Sequence, residues 1–288
     1  MRFVGLVPLA MLVSCRFDAT LAREHADAAP LRLDTGALTC APTMANLGSY
    51  CIDMHEVTLS EYQTWLGEHP ATDGQPDECS WNTSYALGGD GLAHECDPAT
   101  HPEINKDPSL PVVCIDWCDA RAYCVSRGGH LCGNVDGSSE GDLATPSNTL
   151  NDPDKSEWYR ACVGPDRLQY PYGSAYVAGE CNDFVATPPI LPLAAGSRPL
   201  CHGKGGTPYG AIYDLSGNVA EWTNSCQAYN ASFGAGDKNV CTLRGGWWTD
   251  SRSITAPDKY SCEVRALGEL HQPRAHFDNH IGFRCCKS

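Results

Sequence analysis

Asp214 and Glu221 flank the turn Ser216-Gly217-Asn218 within the run Tyr209 to Trp222, Y-G-A-I-Y-D-L-S-G-N-V-A-E-W. Glycine and asparagine tolerate left-handed backbone, so a sharp turn is expected there, with consecutive carbonyls aimed to one side. Two carboxylates around converging carbonyls suit Ca²⁺, a hard cation that takes about six to eight oxygens at flexible spacing. A plain tight turn with solvated acids is the alternative. His276, Asp278 and His280 in H-F-D-N-H, with His271 nearby, have the groups of a transition-metal site, and a solvated loop is the competing expectation. Asp136, Glu140 and Asp142 are a third acidic set. Their spacing departs from the helix-loop-helix calcium loop, so they too are expected to be solvated.

Cysteine usage bears on both compartment and chemistry. The chain has 17 cysteines, and setting Cys15 aside leaves an even set running from Cys40 to Cys286. Such density favours an oxidising compartment and as many disulfides as the set allows. No C-x-x-C pair occurs, so zinc has little support. The vicinal Cys285 and Cys286 are expected to enter two separate bridges, and Cys262 to be a disulfide partner. The start of the chain agrees with export. Arg2 and the apolar run Val4 to Val13 read as a signal peptide, and Leu12-Val13-Ser14-Cys15 as a lipoprotein cleavage site that leaves Cys15 lipidated. The expected organisation is residues 1–14 as signal, 15–39 as lipidated Cys15 and tether, and 40–288 as one domain. A net charge of −15 disfavours nucleic acid. No phosphate loop or His-Glu-x-x-His run is present to support nucleotide or zinc-hydrolase chemistry.

The elements that must hold these groups are short. Residues 49–57 alternate like a strand, and Thr58-Leu-Ser-Glu61 is a capping box for a helix with Tyr62, Trp65 and Leu66 inward. Residues 67–110 read as a loop region held by a disulfide, with Cys79 and Cys96 as the sulfurs within it. Pro111 to Ile115 reads as a buried strand, and Asp116 opens a helix to about Ser126 that Arg127-Gly-Gly ends. With 28 Gly and 20 Pro, long elements have little room.

Seven stretches in order resemble the formylglycine-generating enzyme family, the sulfatase-modifying factor domains. They are Tyr50 to Val57, Pro111 to Tyr123, Ser156 to Cys162, Tyr170 to Gly173, Tyr209 to Trp222, Leu243 to Trp248 and Ile281 to Cys285. The resemblance implies an α+β, C-type-lectin-related domain with little regular structure, here rich in disulfides. It also implies calcium held by the Asp214 and Glu221 side chains with the carbonyls of Gly217 and Val219. A second calcium at Asn182 and Asp183 is doubtful, because prolines replace the acidic loop that would complete it. Polar residues 133–154 form an insertion that the family pattern lacks.

Where the resemblance implies two thiols that hold copper for oxidising a sulfatase cysteine, this chain has Asp250 and Thr255. Trp247 stands where active members have a small hydroxyl residue. The expectation is therefore a lipid-anchored, extracytoplasmic binding or structural module without copper. Trp247, Trp248, Asp250 and Arg252 are groove candidates for a peptide, a glycan or an envelope protein, and the tryptophans at 222, 247 and 248 are expected in the core. The alternative is a divergent oxidase, with copper or with a metal at the histidines.

Overall fold

The computed structural model describes residues 38–88, 94–97, 99–140, 149–183, 191–228, 239–248, 256–264 and 271–288. Cys15, Asp142, Asp250, Arg252 and Thr255 lie outside them.

Two small sheets carry the fold. Strands β1 (Met44–Asn46), β2 (Cys51–Asp53), β8 (Cys285–Lys287) and β3 (His130–Leu131) form an antiparallel sheet in that order, which brings the C-terminal strand between early ones. The second sheet has the order β6 (His271–Pro273), β5 (Asn239–Arg244), β4 (Ala220–Ala228), β7 (Ile281–Phe283), with β4 and β7 parallel. The strand expected over 49–57 shrinks to β2, because Glu56 and Val57 leave the ladder to bond elsewhere.

Helix α1 (Leu59–Leu66) starts at Thr58, whose side chain accepts from Glu61 N while Glu61 returns a bond to the Thr58 amide, as the capping box predicts. Tyr62 and Trp65 are buried and Leu66 packs partly against the same core. Helix α2 (Trp117–Ser126) has the reciprocal cap between Asp116 and Asp119. Helix α3 (Glu157–Val163) is capped by Ser156. The rings of Tyr62, Trp65, Tyr85, Tyr123 and Phe283 meet at 5.1–6.3 Å between the two longer helices and β7.

Pro111 to Ile115 is buried, as expected, but is not a strand. Pro111 makes an isolated bridge to Thr58, and Cys114 turns into left-handed backbone at φ 63°, so no ladder continues. All cysteines from Cys40 on are bridged, in eight disulfides. Two bridges, not one, hold the 67–110 region. They run outward, Cys79 to Cys118 on α2 and Cys96 to Cys114. Cys285 joins Cys124 and Cys286 joins Cys132, so the vicinal pair does form separate bridges, and Cys262 pairs with Cys162.

Candidate functional site

The Asp214–Glu221 turn is built as the residue types dictate. Asp214, Gly217 and Asn218 all sit at positive φ, 58°, 76° and 60°. At Gly217 a side chain is excluded twice, since a Cβ would also stand 2.4 Å from the Asn182 carbonyl oxygen. That carbonyl accepts the Asn218 amide at 2.8 Å, while the Asn182 side chain donates to Asn218 Oδ1 at 2.9 Å. The segment of the doubtful second cation site is therefore stitched to the first. The Asp183 carboxylate is engaged by the Tyr176 hydroxyl at 2.7 Å.

Neither acid of the turn is solvated. Asp214 and Glu221 are buried, together with two groups that had no assigned role, Glu56 and Arg284. Arg284 grips Glu221 with two bonds of 2.7 Å and donates to the carbonyls of Asp53 and Tyr213. Trp158 Nε1 adds a third bond to Glu221 at 2.8 Å. Glu56 accepts from the Asn218 side chain and the Val219 amide, and Asp214 accepts the Gly196 amide at 2.6 Å. Three buried carboxylates thus face one guanidinium. Burial, with repulsion from Asp214 and Glu221, pushes Glu56 well above the usual carboxylate range. Burial, with Glu221 adding to it, pushes Asp214 up to about 6. Burial alone would lower Arg284, yet Glu221, Glu56 and Asp214 together hold it above its ordinary value.

This excess of buried negative charge around a left-handed turn fits a divalent cation. The three carboxylates do not converge on a point: among the described residues, the one trio of His, Cys, Asp or Glu with ligand atoms all within 4.8 Å is Cys132, Glu157 and Cys286. Two of those sulfurs are bonded to each other. A cation at the turn would accordingly draw on Asp214, Glu221 and the carbonyls of Gly217 and Val219, and would supply positive charge that fixes the turn.

The histidine set is not a solvated loop. Asp278 bridges His280 at 3.1 Å and His276 at 4.0 Å, and His280 stacks on Trp247 with centroids 4.4 Å apart. The three do not close to metal-binding distance. Burial lowers His276, whereas for Asp278 burial is outweighed by the bond and charge of His280, which leave the carboxyl below its usual range. His271 lies apart, on β6, facing Thr242.

Glu140 corrects the reading of the insertion. It is fully buried, meets Arg244 at 3.5 Å, and is pushed up by burial to about 7, against the lowering pull of Arg244. Asp136 is exposed and caps its own turn through Ser138. Trp222, Trp247 and Trp248 are all buried, in keeping with core roles.

Glu56 and Arg284 lie within I-D-M-H-E-V and I-G-F-R-C, and neither has a role expected from the sequence. Arg284 carries the plainer signal, a charge directly after the apolar Ile281-Gly-Phe283, where burial demands a partner.

Among the described residues, short strands in two sheets, three short helices and a buried acid-rich turn are consistent with a sulfatase-modifying-factor type of domain. The model of the "Sulfatase-modifying factor enzyme 1-like domain" matches residues 23–288, and the chain belongs to that family. It is 30% identical over 187 residues to "Inactive C-alpha-formylglycine-generating enzyme 2" of Bos taurus, covering 63% of this chain and 52% of that protein. The protein of the same name from Mus musculus is 30% identical over 190 residues, 64% of this chain and 51% of the relative. The chain thus spans about half the length of these curated relatives. Among solved structures it is similar to PvdO from Pseudomonas aeruginosa, with a TM-score of 0.49, 15% identity, and coverage of 83% of this chain and 80% of the other.

Proposed function

We propose that this protein is a non-catalytic member of the family, an exported, lipid-anchored module whose Ca²⁺-held scaffold binds a partner or serves a structural role. The observation that carries the reading is the state of the sulfur. Every cysteine from Cys40 to Cys286 is in a disulfide, which leaves no thiol among the described residues to bind Cu(I), a metal that selects soft thiolates. The sequence adds Asp250 and Thr255 where the resemblance implies the copper thiols, and the two mammalian relatives carry the word inactive in their names. A peptide, a glycan or an envelope protein is the class of partner this role implies.

The test is direct. Purified protein with Cu(I), oxygen and a cysteine peptide of sulfatase type should give no aldehyde by mass spectrometry. Turnover to formylglycine would overturn the reading. Calcium should raise the melting temperature in a concentration-dependent way, as any ligand selective for the native state does. The rise should vanish in Asp214→Ala, and a rise that persists there removes the turn from the cation's ligands. Lipid on Cys15 predicts palmitate labelling that is lost in Cys15→Ala.

A further inference from the structure

Glu157 is a buried carboxylate that the cation site does not use, and it stands beside a disulfide. One of its oxygens and the sulfurs of Cys132 and Cys286 lie within 4.8 Å of one another. Among the described residues, none of the other seven bridges has a carboxylate that close to both sulfurs. The carboxylate accepts His130 Nε2 at 2.9 and 3.1 Å and the Gly133 amide at 2.9 Å. The His130 side chain is 20% exposed, so the line runs from solvent through imidazole and carboxylate to sulfur. Cys286 also lines a cavity of about 110 Å³ together with Arg127, Lys287, Asp53 and the cysteines of the Cys124–Cys285 bridge. Two cations against one carboxylate at that wall favour an incoming thiolate.

We propose that Cys132–Cys286 is a thiol–disulfide exchange site, with Glu157 and His130 as its proton relay and a dithiol as its reductant. The dithiol's thiolate attacks Cys286 Sγ from the cavity, and the sulfur–sulfur bond breaks with its electron pair going to Cys132 Sγ. That sulfur takes the proton shared by Glu157 and His130. The dithiol's second thiol then attacks the mixed disulfide, closes to its own disulfide and releases Cys286, which is protonated from solvent. The balance is one protein disulfide and one dithiol consumed, two protein thiols and one cyclic disulfide formed. Cys132 stands at the base of the polar segment 133–154, so opening this bridge removes the covalent link from that base to the C-terminal strand and leaves the β3–β8 ladder.

Burial raises the Glu157 carboxyl, while the bonds from His130 and the Gly133 amide pull the other way. The other groups acting on it are Asp136, Glu140 and the Tyr50 ring.

Cys162–Cys262 supplies an internal control, since its sulfurs belong to residues at most 1% exposed, like those of Cys132 and Cys286. The intact protein is treated with limiting dithiothreitol, quenched and mapped by differential alkylation. Cys132–Cys286 should be reduced at least about tenfold faster, a modest fraction of what positioned proton transfer commonly supplies. The ratio of the two rates cancels the ionisation of the reductant and should fall as pH rises and the Glu157 carboxyl gives up its proton. In Glu157→Gln the ratio should approach unity. Equal rates in the wild type, a ratio flat with pH, an advantage unchanged in a folded Glu157→Gln, or no reduction of either bridge short of unfolding would each overturn the proposal. The pH profile of the wild type decides the matter even if the variant does not fold.

Discussion

Two buried arginine–glutamate pairs meet at Trp158, and they are built differently. On the indole edge, Arg284 holds both oxygens of Glu221 at 2.7 Å and spends further donors on two carbonyls, while Trp158 Nε1 completes the carboxylate. On the indole face, Arg244 lies 5.2 Å from the ring centroid and meets Glu140 at 3.5 Å. There Glu140 Oε1 and Arg244 Nε are buried without a hydrogen-bond partner. The contrast follows from where the partners come from. Arg284 and Glu221 lie on β7–β8 and β4, in sheets whose register brings Glu221 opposite Gly282. Glu140 arrives on the polar segment 133–154 and docks on an arginine that already has the carbonyls of Leu150 and Cys262. A buried ion pair stabilises only when every polar atom is satisfied, so the first pair should matter more than the second.

The largest effect should come from Glu221→Gln, which replaces the carboxylate that takes two donors of buried Arg284 and the Trp158 N–H with an amide whose own N–H faces those donors. Urea unfolding should show a loss of about 3 kcal/mol or more. Gly217→Ala comes next, because the added Cβ meets the Asn182 carbonyl oxygen in left-handed backbone. We expect about 2 kcal/mol from the same measurement, together with weaker calcium stabilisation. Glu140→Gln should cost least at pH 7, about 1 kcal/mol or below, since burial raises the native carboxyl to about 7 and its pair with Arg244 is incomplete. If it costs as much as Glu221→Gln, the two pairs are equivalent and the comparison fails.

A pH series sharpens the same point. The Glu140 carboxyl is raised in the folded state, so the native protein binds its proton more tightly than the unfolded chain does. The resulting stability is complete below the ordinary carboxylate value near 4.5 and is lost as pH rises through about 7. Within that window the loss is about 1.4 kcal/mol per pH unit at most. Glu140→Gln should remove its share of this slope and leave the part due to Asp53 and Asp214, which burial raises to about 6, and to Glu56, Asp119 and Glu157, which burial raises as well. An unchanged slope would mean that Glu140 is ionised throughout.

The comparison also marks what the sequence could reveal. The cap at Thr58, the helix opened by Asp116, the turn at Gly217-Asn218 and the fate of Cys262, Cys285 and Cys286 were all legible, because each depends on local geometry or on sulfur counting. The pairings of Cys79 and Cys96 were not, since nothing local says which distant sulfur comes near. Nor was the left-handed kink at Cys114 that ends the expected strand. Glu140 misled for a related reason: in a polar insertion an acid looks solvated until the arginine above it is known. The acid-rich turn was found as a ligand set, yet its balance of three carboxylates against Arg284 needed the fold, which brings β2, β4 and the C-terminus together.

Metal content decides whether a hard cation holds the proposed scaffold in the absence of a redox metal. Protein purified without chelator should carry about one calcium per chain, lost in Asp214→Ala, with copper only at trace level. Copper in stoichiometric amount, retained after dialysis and indifferent to Asp214, would contradict it.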